Sequence, residues 1–190
     1  MDHFYYLRHG QTTANAADKR SGGEDDVSLT SVGRKQIRRV ARFIQSKNLK
    51  PGFIASGTLQ RLFTTVEILN ELLKLPVIQD PNFNERLLGS WNGLSHEETE
   101  EWLRSGSSPP GGEDEAVFRR RIITALKYTV LPRRSEKILL VSSRGVARIV
   151  SQYFRVTNFY PPKNGELLRI GPDLWESLYR YGEKREPGPY

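Results

Sequence analysis

Short apolar runs alternate with longer amphipathic stretches along this chain. Phe4-Tyr5-Tyr6-Leu7, Phe53-Ile54-Ala55, Val77-Ile78 and Ile138-Leu139-Leu140-Val141 are unbroken apolar runs, the pattern of strands buried on both faces. Ile37, Val40, Ala41 and Ile44 keep the i, i+3, i+4, i+7 spacing of one helix face, with Thr30 as N-cap. Leu62, Val66, Leu69 and Leu73 line a second helix over residues 59–73, which Pro76 ends. Ser95 and Glu98 have capping-box spacing ahead of a short helix carrying Trp102. Val117, Ile122, Ala125 and Leu126 mark the core side of a helix over residues 113–131, and a last helix is expected over 146–154. Residues 167–170 and 175–179 read as edge strands. Residues 10–28 and 105–112, rich in turn-forming residues, read as loops.

Strands alternating with helices predict an α/β fold: a three-layer sandwich with a mostly parallel central sheet covered by helices on both faces. The expected organisation is one domain over residues 1–182, with a lid insertion over 80–112. Residues 183–190, polar and with two prolines, are expected to be a flexible tail.

Composition narrows the chemistry. The 190 residues include no cysteine, which excludes a disulfide framework, a cysteine-ligated metal and a thiolate nucleophile. With three histidines, a zinc cluster is not expected, and neither metal nor cofactor is predicted. No apolar stretch approaches the roughly 18 residues that span a bilayer, and no basic segment followed by a long apolar run opens the chain. A cytoplasmic protein without membrane partner is the expectation. The net charge of +7 suits either phosphate contacts to nucleic acid or a surface that attracts small anions. Its Arg and Lys are spread along the chain without a nucleic-acid signature, so small anions are expected and nucleic acid is not.

In open α/β sheets ligands gather beyond the carboxyl ends of the strands. That rule selects Arg8-His9-Gly10, residues 56–61, and Ser142-Ser143-Arg144-Gly145. Each carries an Arg, whose planar fork suits phosphate oxygens. A histidine here can attack phosphorus through a ring nitrogen, and Gly10 leaves room for close approach. A histidine merely satisfied at a strand end is the plainer alternative. Neither G-x-x-x-x-G-K-[ST] nor G-x-G-x-x-G occurs, so nucleoside-triphosphate and dinucleotide readings lack their motifs.

Leu7-Arg8-His9-Gly10-Gln11-Thr12, with Asn15, resembles the signature of the histidine phosphatase superfamily, the phosphoglycerate-mutase-like fold. Leu29-Thr30 with Gly33 and Gln36 is similar to a second segment of that family. Leu59-Gln60-Arg61 with Thr65 and Glu67 is similar to a third, and Asn84-Glu85-Arg86 with Gly89, Trp91 and Gly93 to a fourth. The resemblance implies that His9 accepts a phosphoryl group, that Arg8 and Arg61 grip its oxygens, and that Glu85 is the general acid and then the base. Gln11, Thr12 and Asn15 are implied to line the entrance. The implied activity is metal-independent hydrolysis of small phosphomonoesters, with a phosphorylated metabolite or inorganic phosphate as the partner.

The resemblance breaks at one position. The family places its second histidine where Val141-Ser142-Ser143-Arg144-Gly145 carries Ser143. An impaired phosphatase is expected, with Ser143 or Arg144 as partial substitutes. His96 lies in the insertion and His3 at the wrong end of the first strand, so neither is expected to compensate. A weak or inactive module that binds a phosphorylated ligand or partner is the alternative. A mutase fits less well, since the family's mutases carry Tyr where this chain has Leu88. Trp91 and Trp102 read as core or lid packing, and Arg119-Arg120-Arg121 as a wet helix face.

Overall fold

The aliphatic run ending at Val141 takes the middle of a six-stranded sheet, in a computed structural model that describes residues 3–182. Strand β4 (Leu139–Ser142) lies between β1 (Phe4–Arg8) and β2 (Ile54–Ser56), both parallel to it. Strand β3 (Val77–Gln79) extends the parallel set beyond β2. On the far side of β1, β5 (Leu167–Gly171) and β6 (Leu174–Tyr179) add antiparallel, so the order is β3-β2-β4-β1-β5-β6.

Alternation along the strands sends their side chains into two cores. Phe4, Tyr6, Ala55 and Leu140 meet Phe118, Ile122, Ala147 and Val150 of α5 (Glu115–Ala125) and α6 (Arg144–Tyr153). Tyr5, Leu7, Ile54, Leu139 and Val141 meet α2 (Ser31–Ser46) and α3 (Gln60–Leu73) on the other face. Ile37, Val40, Ala41 and Ile44 are all buried there. At about 1.5–3 kcal/mol for each large aliphatic side chain, this stripe is what holds α2 to the sheet. Thr30 caps α2 by accepting from the Gly33 amide at 3.0 Å. Helix α4 (His96–Arg104) opens with the expected capping box of Ser95 and Glu98. The three-layer α/β expectation holds.

Several details differ from the sequence reading. Residues 167–170 are not at an edge, because β5 pairs with both β1 and β6; the edges are β3 and β6. A short helix α1 (Thr13–Ala16), closed by a Thr12–Asn15 capping box, interrupts the loop over 10–28. Ile122, Ala125 and Leu126 are buried as expected, but Val117 is exposed and its neighbour Phe118 takes the buried position in the first turns of α5. The helix does not continue regularly to 131: a π turn (Leu126–Val130) and a 3-10 segment (Leu131–Glu136) follow Ala125. Pro132 supplies no backbone N–H for the next α turn. The tail expected over 183–190 lies outside the described residues. No described helix is long and apolar enough to cross a membrane.

Candidate active site

Parallel pairing of β1 with β4 sets Arg8 opposite Ser142, and the His9 amide donates to the Ser142 carbonyl at 3.0 Å. His9 and Ser143 therefore leave the sheet side by side. Strand β2 ends at the same edge and delivers Arg61 in the first turn of α3. All three line one cleft of about 640 Å³, together with Arg8, Glu85 and Arg144. Strand order explains this convergence, because parallel neighbours present their carboxyl ends together.

His9 is buried, and its Nδ1 is 2.8 Å from the Gly10 carbonyl oxygen. A carbonyl only accepts, so Nδ1 carries the proton and Nε2 keeps its lone pair. Burial, then the positive charges of Arg61 and Arg8, hold the imidazole pKa well below the ordinary 6.5. The loop entering β5 braces this turn: Gly165 donates its amide to the Arg8 and His9 carbonyls at 3.1 Å each, and Asn164 links the His9 carbonyl to Asn15.

The two arginines are held by backbone oxygens. Arg8 donates from Nη1 to the Pro162 carbonyl at 2.9 Å, while its buried Nε has no partner. Burial and the neighbouring Arg144 lower its pKa to about 10. Arg61, 1% exposed, donates from Nη1 to the Asp25 carbonyl and from Nη2 to the Gly22 carbonyl, at 2.9 and 3.0 Å. Each terminal nitrogen has a second N–H left over. Burial lowers the pKa of Arg61 too, opposed by Glu85.

Glu85 reaches across to the start of α6. Its Oε2 accepts from the Gly145 amide at 2.9 Å and its Oε1 from the Arg86 amide at 2.8 Å. Its backbone is fixed by Arg121, which donates to the carbonyls of Asn82, Asn84 and Glu85 and forks onto the buried Glu113 carboxylate at 2.7 and 2.8 Å. Arg121 is thus no part of a wet helix face. The signal was in the spacing: with Phe118, Ile122 and Ala125 it completes the i, i+3, i+4, i+7 stripe of the buried side. Ser143, 2% exposed, is the N-cap of α6 without using its hydroxyl to cap, and its Oγ makes no hydrogen bond within the protein. Tyr6 donates to its carbonyl at 2.5 Å.

The other expected site residues divide. Thr12 and Asn15 line the cleft. Gln11 does not: its Oε1 accepts from the Thr30 hydroxyl at 2.9 Å, turning the side chain toward the start of α2. Gly10 faces Gly33, whose carbonyl oxygen would lie 2.6 Å from a Cβ added there, so its bareness serves packing against α2. His96, set aside in the sequence reading, does line the cleft from α4, about a third exposed and 4.0 Å from Asp18. Nothing in its local sequence places it there, because α4 folds over the cleft only in three dimensions. Trp91 is buried and stacks on Trp102, with ring centroids 5.4 Å apart. Among the described residues no group of three or more His, Asp or Glu is placed to hold a metal ion.

The model of the histidine phosphatase superfamily, branch 1, matches residues 4–169. This chain belongs to that superfamily. Among similar proteins is the phosphoglycerate mutase-like protein 4 of Arabidopsis thaliana, 34% identical over 154 residues, or 75% of this chain and 66% of that one. The metal-independent phosphoserine phosphatase of the same plant is 31% identical over 163 residues, 80% of this chain and 67% of its own length. A 2,3-bisphosphoglycerate-dependent phosphoglycerate mutase of Corynebacterium diphtheriae is 30% identical over 177 residues, 86% and 69% of the two chains. This histidine phosphatase chain spans between 47% and 69% of the length of the plant and corynebacterial relatives. Its fold matches a protein of Thermus thermophilus at a TM-score of 0.72, with 25% identity, over 94% of this chain and 98% of the other. It also matches a mycobacterial glucosyl-3-phosphoglycerate phosphatase at 0.74, with 22% identity, over 95% and 99%. The superfamily thus brings phosphatases and mutases together on this fold.

Proposed function

We propose that this protein is a metal-independent phosphatase that hydrolyses small phosphomonoesters through a phosphohistidine at His9. The observation that carries the reading is the state of the imidazole: Nδ1 is committed to the Gly10 carbonyl, and the lowered pKa leaves Nε2 unprotonated at neutral pH. Nε2 attacks phosphorus, the bond from phosphorus to the ester oxygen breaks, and Glu85 gives that oxygen its proton. Water then attacks the phosphohistidine, Glu85 takes the water's proton, and the N–P bond breaks to release phosphate. The free Nε of Arg8 and the remaining N–H groups of Arg61 supply the positive charge.

Ser143 stands where the family's second histidine is expected. In this reading it leaves the transition state one donor poorer, since its hydroxyl has a shorter reach than an imidazole. Loss of one preorganised donor costs about 2.7–4 kcal/mol, roughly 10² to 10³ in rate. Its unpartnered Oγ also favours a second reading, a module that binds a phosphorylated ligand without turning it over.

One experiment separates the two. Protein quenched during reaction with an aryl phosphate is expected to carry acid-labile, alkali-stable phosphate that is missing in His9→Ala. Ser143→His is expected to raise turnover by roughly 10² to 10³, the worth of the restored donor. Undiminished hydrolysis by His9→Ala would overturn the phosphohistidine, and tight phosphate binding without turnover at any pH would favour the binding module.

A further inference from the structure

The cleft continues away from His9 along the faces of α5 and α6, and its wall there carries a second concentration of positive charge. Glu115 accepts from Arg148, with Nη2 at 2.7 and 2.9 Å from its two oxygens, and lies 3.4 Å from Nη1 of Arg86. Arg119, one turn along α5, donates to Gln152 on α6 at 2.6 Å. All of these side chains line the same cleft as His9. Two guanidinium groups therefore share a single carboxylate, and a third stands beside them.

Arg86 is the decisive member. It is only 5% exposed, donates from Nε to the Glu113 carbonyl at 2.6 Å, and leaves a buried Nη2 with no partner. An unsatisfied guanidinium N–H out of water costs free energy that an anion would recover. On the side of α4, Glu100 pairs with Arg20 and Arg104. Arg20 is 13% exposed but has its Nε satisfied by the Thr99 hydroxyl at 2.7 Å, while Glu100 at 60% and Arg104 at 77% exposed are screened by solvent and salt.

We propose that Arg86, Arg148 and Arg119 form a subsite for a second anionic group, so that the preferred substrate is a phosphomonoester bearing a carboxylate or a further phosphate. The proposal rests on the His9 end of the cleft as the place of the reacting phosphoryl group. Arg148 follows Arg144 by one helical turn, about 6 Å along α6, a separation that a linker of a few carbons spans. The incoming anion displaces Glu115 from one or both arginines, which makes Glu115 a competitor for the same donors.

The test is calorimetric titration of the whole chain with non-hydrolysable n-alkylphosphonates of two to five carbons. Each is compared with its ω-carboxy and its ω-phosphono analogue, which separates the two sources of the second anion. At the favoured length the second anion is expected to tighten binding about tenfold. Arg148→Ala is expected to bring this ratio toward one, and Glu115→Gln to raise it above the wild-type value. Both side chains are about two-fifths exposed, so folding does not depend on either. A ratio near one at every length, or a ratio untouched by both variants, overturns the subsite. Phosphate release from the matching esters is measured alongside. Release with no anion preference would retain the phosphatase and remove the subsite, whereas preference without release would do the reverse.

Discussion

Glu85 and Gly145 meet at the entrance of α6, where the Gly145 amide donates to Glu85 Oε2 at 2.9 Å and a Cβ on Gly145 would lie 2.1 Å from Glu85 Oε1. The glycine is what lets the carboxyl group lie against the helix start. Gly145→Ala must push the carboxylate off its amide, because 2.1 Å is far inside van der Waals contact. General acid–base groups contribute about 10² to 10⁴ in rate, so kcat on an aryl phosphate is expected to fall about a hundredfold. Melting temperature is expected to move little, since the displaced group faces the cleft. A kcat within a factor of two of wild type would argue that the position of Glu85 is immaterial.

His9 makes folding stability depend on pH. Its pKa in the folded protein is held below 6.5, so between that lowered value and 6.5 the unfolded chain binds a proton here that the folded chain refuses. Its contribution is complete above pH 6.5 and is lost as pH falls through that window, with a slope of up to about 1.4 kcal/mol per pH unit. His96 is shifted in the same direction, so the wild type must be compared with His9→Asn. Urea denaturation from pH 8 to pH 5 is expected to show the flatter profile in the variant; parallel profiles would count against a buried neutral imidazole.

Arg121 ties the Glu85 segment to the rest of the fold through five hydrogen bonds and neutralises Glu113, whose side chain is 5% exposed. Arg121→Ala leaves that carboxylate buried without a counter-charge, with only the Leu87 amide at 3.4 Å beside it among the described residues, which costs about 3–5 kcal/mol. Arg121→Lys keeps the charge but not the fork. It is expected to recover part of the stability in a denaturant midpoint and less of the kcat, because the three carbonyls of Asn82, Asn84 and Glu85 are no longer held together.

Ser143→Ala removes a buried hydroxyl that has no partner within the protein. Deleting an unsatisfied polar group is neutral or stabilising by about 1 kcal/mol. The same change is expected to lower turnover further if the hydroxyl donates to the phosphoryl group. A clear loss of stability would mean that the hydroxyl has a structural partner.

Periodicity finds the elements, and it fails where tertiary context intervenes. The stripe Ile37, Val40, Ala41 and Ile44 is buried as its spacing requires, and Ser95 with Glu98 caps α4. On α5 the spacing finds Ile122, Ala125 and Leu126 but misses at Val117, because Phe118 and Arg121 complete the buried stripe and a charged residue reads as outward. Residues 167–170 read as an edge because their run is short; only pairing reveals that β6 covers them. Gln11 belongs to the motif, yet it serves the N-cap of α2 rather than the cleft.

The α/β class, the apolar strands, the helix faces and the segments that carry Arg8, His9, Arg61, Glu85 and Ser143 are all legible in the linear chain. These are local properties, since burial face and capping follow from spacings within a few residues. Which of them meet is a matter of folding in three dimensions. Tyr6 touches the Ser143 carbonyl across 137 positions of chain because β4 inserts between β1 and β2. Arg86 and Arg148 share Glu115 because α5 and α6 lie side by side on one face of the sheet. No spacing rule encodes such encounters: they follow from strand order and from how buried charges find partners when water is excluded.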